Sequence, residues 1–267
     1  MMNESLDVIV KLMEGDTVTM KSDWFEAKDA HLQIPPYTVP HTEMAVACAR
    51  SPSGALAAGK HGLGMLSIGG TNDEALKHHA NNWRMCEEAA AENGKTVSRE
   101  NWRLVTLMHV AETREEARQQ VKYGFDKWRH YFGSINPMGL DAKEGKDPLD
   151  GMIESGQAIV GTPDDAIAQI ERLQEKIPGF GAFLMLAHNW ANFENTKRSY
   201  ELFARHVKPK FHGANTAREE SLAWATENSG EFIGAAMNAA MQTIAKHQAE
   251  EEEKAAPPAA AACVGHG

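Results

Sequence analysis

Met44-Ala45-Val46-Ala47-Cys48-Ala49-Arg50-Ser51-Pro52-Ser53-Gly54-Ala55-Leu56-Ala57-Ala58-Gly59-Lys60-His61-Gly62-Leu63-Gly64-Met65-Leu66-Ser67-Ile68 is the stretch that decides the fold. Residues 44–49 and 64–68 are short apolar runs that read as buried strands, and residues 54–61 read as a helix between them. Two strands joined by a helix lie parallel, because the helix carries the chain back to the end from which the first strand started. Downstream the alternation continues. Helix 73–93, strand 103–110, helix 114–132, helix 163–177, strand 182–187 and helix 192–207 follow in order, the last ended by Pro209. This alternation predicts a parallel α/β sheet or barrel with right-handed crossovers. The strands are continuous apolar runs, as expected of strands covered on both faces. Residues 133–156, an irregular stretch containing Gly and Pro, are expected to form an insertion on the rim at the C-terminal strand ends.

The helix entry Ser51-Pro52-Ser53-Gly54 differs from three others in the chain. Thr71-Asn72-Asp73-Glu74, Thr113-Arg114-Glu115-Glu116 and Thr162-Pro163-Asp164-Asp165 each place a Thr where it can cap the first turn and an acid where it satisfies further amides. With Ser51 as the N-cap, Pro52 takes the first helical position, where its missing N–H costs nothing, and Gly54 takes the third. The first amides are then free, two hydroxyls flank them, and no side chain crowds the approach. A helix end of this kind binds a phosphate. An ordinary N-cap on a strand–helix turn is the other reading of the same residues.

Working outward, Leu6, Ile9, Val10 and Met13 repeat at helical spacing and Gly15 closes the run. No capping residue precedes them, so the chain enters inside a helix and is expected to lack what came before. Residues 17–20 and 24–27 read as a hairpin, followed by the proline-rich connection Ile34-Pro35-Pro36-Tyr37-Thr38-Val39-Pro40. Beyond Gly213 the composition shifts. Asn228 and Glu231 resemble a capping box for a last helix with Ile233, Ala236, Met237, Ala240, Met241 and Ile244 on one stripe. Residues 255–267 are Ala/Pro-rich and are expected to be disordered.

With 267 residues, 42% hydrophobic and 24% charged, the chain is long enough for one sizeable core. The formal net charge of −10 argues against nucleic acid or an anionic membrane as partner. Cys48, Cys86 and Cys263 fit neither a disulfide framework nor a metal-site spacing, and the start is acidic where a signal peptide is basic. A cytoplasmic location is expected.

From residue 45 to 62 the sequence resembles the bacterial luciferase-like flavin monooxygenases, through the strand, Ser-Pro-Ser-Gly-Ala and "AAGKHGLG" leading into the next strand. Four more stretches agree: "MNESLDVIVKLMEGDTVT", "DAHLQIPPYTVP", "AIVGTPDDAIAQIERL" and "FLMLAHNWANFENTKRSYELFARHVKPKF". The likeness is to the limonene 1,2-monooxygenase-like branch and covers residues 3–245. It implies an α/β fold, the luciferase-like TIM (β/α)8 barrel, with the four strands found here matching the fifth to eighth. Residues 1–213 then form the C-terminal half of that barrel, residues 214–254 a helical extension, and residues 255–267 the tail. The resemblance also implies that Ser51, Ser53 and the Gly54 backbone hold the phosphate of reduced FMN, supplied by a separate flavin reductase. The implied reaction oxygenates a small apolar organic substrate with O2.

No hydrolase triad, zinc motif or Walker loop is present. His78 and His79 are adjacent and read as surface residues. His109, near a strand end, either faces the mouth of a site or packs inside. His188 and Trp190, after the final strand, are candidates to line a flavin or substrate pocket, with Asn189 or Asn192 as simple helix caps in the alternative reading. Arg50 either offsets the phosphate charge or is a solvated rim residue. Two other functions stay open: an F420-dependent oxidoreductase on the same barrel, and a catalytically silent flavin-binding half-barrel. Unpaired sheet edges in such a half also point to a homo-oligomer.

Overall fold

The structure, a computed structural model, describes residues 1–135 and 147–255, with side chains through Glu252. Helix α1 (Met2–Met13) leads into an antiparallel hairpin of β1 (Val18–Lys21) and β2 (Glu26–Ala30). Then come β3 (Ala45–Cys48), α2 (Ser53–His61), β4 (Gly64–Ser67), α3 (Asp73–Glu92) and β5 (Trp102–Val110). Next are α4 (Arg114–Val121), α5 (Phe125–Ile135), α6 (Pro148–Glu154), β6 (Ala158–Gly161), α7 (Pro163–Lys176), β7 (Ala182–Met185) and α8 (Phe193–Leu202). A π turn, Phe203–Val207, and α9 (Lys208–Phe211) extend α8, so the helix does not stop at Pro209 as expected. The chain divides into two units, Met1–Lys208 and Pro209–Gly267.

In the first unit β3, β4, β5 and β7 pair in parallel in chain order. β6, which sequence patterning missed, pairs with the C-terminal half of β5, Leu107 to Val110. Parity along β5 shows which edge it takes. Trp102 and Thr106 aim their carbonyls at the β7 side, accepting from Gly181 and Leu186. Ala111, of opposite parity, donates its amide to Gly161 after β6. β6 therefore continues the edge that β4 occupies lower down. The expected helix 114–132 is two helices, α4 and α5, broken where the Gly124 amide leaves the ladder to donate to the Trp190 carbonyl at 2.9 Å. The irregular stretch 133–156 holds the end of α5 and all of α6, and its residues 136–146 lie outside the described residues.

One face of the sheet is packed. Val46, Cys48, Met65, Trp102 and Leu104 lie with Ala55, Ala58, Leu76, Trp83 and Cys86 of α2 and α3 in a single buried cluster. Trp83 stacks on Trp102 with ring centroids 4.9 Å apart, and the Trp102 indole donates to the Ser67 hydroxyl. Among the described residues the other face is unevenly covered: β3 alternates exposed Ala45 and Ala47 with buried Val46 and Cys48, Leu66, Arg103 and Val105 are half-buried, and β6 is buried throughout. α2 sits unusually low over the sheet and against α3. A Cβ on Gly54 would meet the Ala47 carbonyl oxygen at 2.5 Å, and one on Gly59 would meet the Cys86 carbonyl oxygen at 2.2 Å.

The second unit holds α10 (Thr216–Glu227) and α11 (Ser229–Ala255). The capping box expected at Asn228 is absent. Asn228 ends α10, and its side chain donates to the Trp224 carbonyl. The expected stripe is exposed at Ile233, Met237, Met241 and Ile244. The tail after Ala255 lies outside the described residues.

Replacing Gly59 with Ala is expected to force α2 and α3 apart and cost about 1–3 kcal/mol, the range for overpacking a core. Urea denaturation followed by circular dichroism measures it as a lowered midpoint.

Candidate functional site

The five parallel strands, β3 to β7, all run the same way, and the main candidates from the sequence follow the ends of β3 and β7. The first group follows β3. Pro52 already has helical dihedrals (φ −70°, ψ −15°) and is the cap of α2, which begins at Ser53, so Ser51 is not the N-cap by backbone conformation. Its hydroxyl still performs one capping bond. It accepts from the Ser53 amide at 3.3 Å and lies 2.9 Å from the Ser53 hydroxyl. Pro52 supplies its carbonyl to the Leu56 amide. The amides of Gly54 and Ala55 find no acceptor among the described residues. Arg50, Ser51 and Ser53 are exposed, and Arg50 has no ion pair among the described residues.

The contrast with the other helix starts is as expected at two of three. Thr113 and Thr162 each form a full capping box, with Glu116 and Asp165 respectively. At α3 the cap is Asn72, not Thr71, and accepts from the Ala75 amide. Thr71 is instead buried, its hydroxyl donating to the Gly156 carbonyl at 2.6 Å and lying 3.0 Å from the Thr106 hydroxyl. α2 thus combines an acid-free first turn with unsatisfied amides. Gly54 itself is explained by the close approach to β3, so the absent side chain serves packing before it serves any ligand.

Two residues that the sequence did not assign to this end of the sheet hold it in shape. Asn82, 2% exposed, donates to the Ala49 carbonyl at 2.8 Å and so fixes the backbone just before Arg50. His79, read as a surface residue, is buried and bonds the Gly70 carbonyl at 2.9 Å, and burial holds its pKa below the usual histidine value. The signal was present. His79 and Asn82 fall on the same α3 stripe as Ala75, Leu76, Trp83 and Cys86, where polar residues need a reason.

The second group follows β7. Trp190 is 0% exposed and packs edge-on against Phe125 and Trp128, with centroids 5.1 and 5.0 Å away. It supports its neighbour from beneath and presents no surface of its own. His188 stacks on it at 4.2 Å, points Nε2 at the Met108 carbonyl (3.0 Å), and takes the Trp190 amide on Nδ1 (3.3 Å). Burial lowers its pKa to about 4, so the ring is neutral with its proton on Nε2 and both nitrogens engaged. His109 is buried with Nε2 2.8 Å from the Gln120 side chain. Asn192 caps α8 by accepting from the Asn195 amide. The two groups stand on β3 and β7 with β4 and β5 between, a separation of roughly 14 Å at the usual strand spacing.

Neither described cysteine is a nucleophile at neutral pH: burial pushes Cys48 up to about 12 and Cys86 to about 11. A groove of about 490 Å³ between α4, β6 and α7 lies elsewhere, and its arginines are already bonded to carboxylates, Arg114 to Asp165, Arg118 to Asp150 and Arg172 to Asp73. Among the described residues no three His, Cys, Asp or Glu gather as metal ligands, and no helix is long and apolar enough to cross a membrane.

The model of the luciferase-like monooxygenase family matches residues 1–178. The chain belongs to this family. It is 44% identical to limonene 1,2-monooxygenase of Rhodococcus erythropolis over 212 residues, 79% of this chain and 54% of that one. Its structure resembles monooxygenase RslO1 from Streptomyces bottropensis, with TM-score 0.65 and 22% identity over 78% of this chain and 60% of that chain. It also resembles the oxygenating constituent of 3,6-diketocamphane monooxygenase from Pseudomonas putida, determined with FMN, with TM-score 0.58 and 24% identity over 78% of this chain and 62% of that chain. The luciferase-like monooxygenase chain therefore has the α/β fold expected of it, in partial form, and spans a little over half the length of these relatives.

His188 binds a proton in the unfolded chain near pH 6.5 but in the folded chain only near pH 4, so the fold loses stability as pH falls through that window. The His188 ring resonances are expected to stay those of a neutral imidazole down to about pH 4 by NMR titration. A His188→Gln chain should show a shallower fall of melting temperature with acidification.

Proposed function

We propose that this luciferase-like chain belongs to a flavin-dependent monooxygenase that binds reduced FMN by its phosphate at the N-terminus of α2 and oxygenates a small apolar substrate with O2. The observation that carries the reading is the pair of unbonded amides, Gly54 and Ala55, beside the exposed Ser51 and Ser53 hydroxyls and the unpaired Arg50. These residues fit the group. A dianionic phosphate is favoured at a helix end whose first turn holds no acid, and the hydroxyls and guanidinium add donors without moving the backbone. Asn82 keeps that backbone in place through the Ala49 carbonyl. The relative determined with FMN supports this choice of cofactor.

Bound reduced FMN supplies the activation of O2 for insertion of one oxygen atom into the substrate. The chain's own residues anchor, orient and exclude water. The unevenly covered sheet face with Ala45, Ala47, Leu66 and Leu184 offers an apolar wall for a substrate without polar groups. His188 does not act as a base, since both its nitrogens are bonded, and it serves as a flat neutral wall at the β7 end. A separate reductase supplies the reduced flavin, the setting is cytoplasmic, and the chain works as a homo-oligomer. Residues 1–213 provide the strands equivalent to the fifth to eighth of the barrel, and residues 214–254 a helical extension.

Replacing Ser51 and Ser53 together by Ala is expected to weaken FMN at least about tenfold, and Ser53→Glu more, by quenching titration of flavin fluorescence. Riboflavin, which lacks the phosphate, should bind all forms alike. Unchanged FMN affinity in the double variant removes the assignment. Substituting Gly54 tests nothing here, because any side chain strikes β3. Oxygen consumption with reduced FMN, set against hydride transfer with F420, separates the two cofactor classes.

A further inference from the structure

The turn after β4 lies beside the turn after β3. The two strands pair as far as Cys48 and Ser67, and the last rung is the Ile68 amide donating to the Cys48 carbonyl. Past that rung the chain turns through Gly69 and Gly70, with φ angles of +108° and +100° that side chains rarely adopt. The far end of this turn is pinned. The Thr71 carbonyl accepts from Arg172 at 3.2 Å, and the Thr71 hydroxyl donates to the Gly156 carbonyl. Between two fixed ends lie the two residues whose backbones have the most freedom. One hydrogen bond restrains them among the described residues: the Gly70 carbonyl meets Nε2 of His79 at 2.9 Å.

That turn touches the loop leading to the free amides of α2. The Cβ position of Gly69 is 3.8 Å from the Ala49 Cβ and 4.0 Å from its Cα, and Ala49 runs directly into Arg50 and Ser51. The Ala49 carbonyl is in turn taken by Asn82, three residues after His79 on the same face of α3. One helix stripe thus grips both turns, His79 the one after β4 and Asn82 the one after β3.

We propose that His79 is a positioning residue of the phosphate site. Through Gly70 it holds the glycine pair against Ala49 and so sets, together with Asn82, where Arg50, Ser51 and the first turn of α2 stand. The ring suits this part. A carbonyl oxygen only accepts, so Nε2 carries the proton, and Nδ1 is buried with no partner among the described residues. A second proton on Nδ1 would find no acceptor, and burial holds the pKa below the usual histidine value, so the ring stays a neutral single donor. Its buried neighbours on α3 are Ala75, Leu76, Trp83 and Cys86, where packing alone calls for an apolar side chain. The bond to Gly70 is what the histidine adds. This role rests on the phosphate reading above and extends it to a residue that never meets the flavin.

The test is fluorescence titration of the full chain with FMN and with riboflavin, for the unaltered protein, His79→Leu, His79→Gln and the Ser51→Ala, Ser53→Ala double variant. His79→Leu keeps the bulk and loses the donor. It is expected to weaken FMN about fivefold, the equivalent of one neutral hydrogen bond, with riboflavin unchanged. His79→Gln, whose amide nitrogen stands about as far from the backbone as Nε2, should restore FMN to within about twofold. A residue that only stabilises the fold would lower the melting temperature and move both flavins together or neither. FMN affinity unchanged in a folded His79→Leu chain overturns the proposal. So does equal loss of both flavins, or a His79→Gln chain no better than His79→Leu. Failure of the phosphate reading looks different: the double serine variant then binds FMN as the unaltered chain does, and the positioning role falls with it. Loss in the serine variant beside an unaffected His79→Leu sinks the positioning role alone. Should His79→Leu not fold, side-chain NMR of the unaltered chain decides. The His79 Nε2–H resonance should shift on addition of FMN and stay in place on addition of riboflavin. Equal shifts with both, or none at saturating FMN, overturn the proposal.

Discussion

The seating of α2 is the constraint from which the rest follows. With no side chain at Gly54, the first turn of the helix descends onto the Ala47 carbonyl, and with none at Gly59 the helix meets the backbone of α3 directly. Contacts this short exclude even a methyl group, so the helix axis has one position relative to β3. Its free amides are therefore held at the strand's end by backbone against backbone, a stiffer support than side-chain packing.

A second layer of order comes from polar groups inside the helix–sheet interface. His79, Asn82, Ser67 with Trp102, and Thr71 with Thr106 and Gly156 each join one element to the backbone or side chain of another near the C-terminal strand ends. Buried polar atoms are costly without partners, so each bond permits few alternative arrangements. Apolar packing sets how close the elements come, and these bonds set where along each other they stop. The Trp83 and Trp190 indole nitrogens and the second ring nitrogen of His79, Nδ1, are exceptions, buried without a hydrogen-bond partner among the described residues.

The four main strands and most of their helices were legible because each apolar run is bounded by a cap or a glycine, and the observed strand bounds differ from the expected ones by one or two residues, whereas the expected helix 114–132 is broken in two and 192–207 is α-helical only to Leu202. The motif likeness was legible for the same reason: it sits at the one helix entry whose first turn differs in chemistry. β6 was not legible. Ala158-Ile159-Val160-Gly161 is too short to show a period, and it becomes a strand only because β5 offers it an edge. The break between α4 and α5 was hidden too, since the bond that causes it runs to Trp190, far along the chain. His79 was read as a surface residue because exposure is a property of the assembled layers, and adjacency in sequence does not report it. The uneven cover of the second sheet face was hidden because an apolar strand looks alike whether that face is covered by its own chain or by another molecule.

β5 outruns its neighbours, with nine residues against the four of β4. On one side its overhang is taken up by β6, and on the other the Ser199 hydroxyl accepts the Val110 amide while His188 caps the Met108 carbonyl. The long connection between β5 and β7 is therefore stitched to the sheet midway, and α5 and α6 lie between two elements, α4 and β6, that are each fixed against it. A segment tied down at both ends can change its residues over evolutionary time without transmitting the change to the strand register. The length of one strand thus separates the part of this fold that is free to diversify from the part that is not.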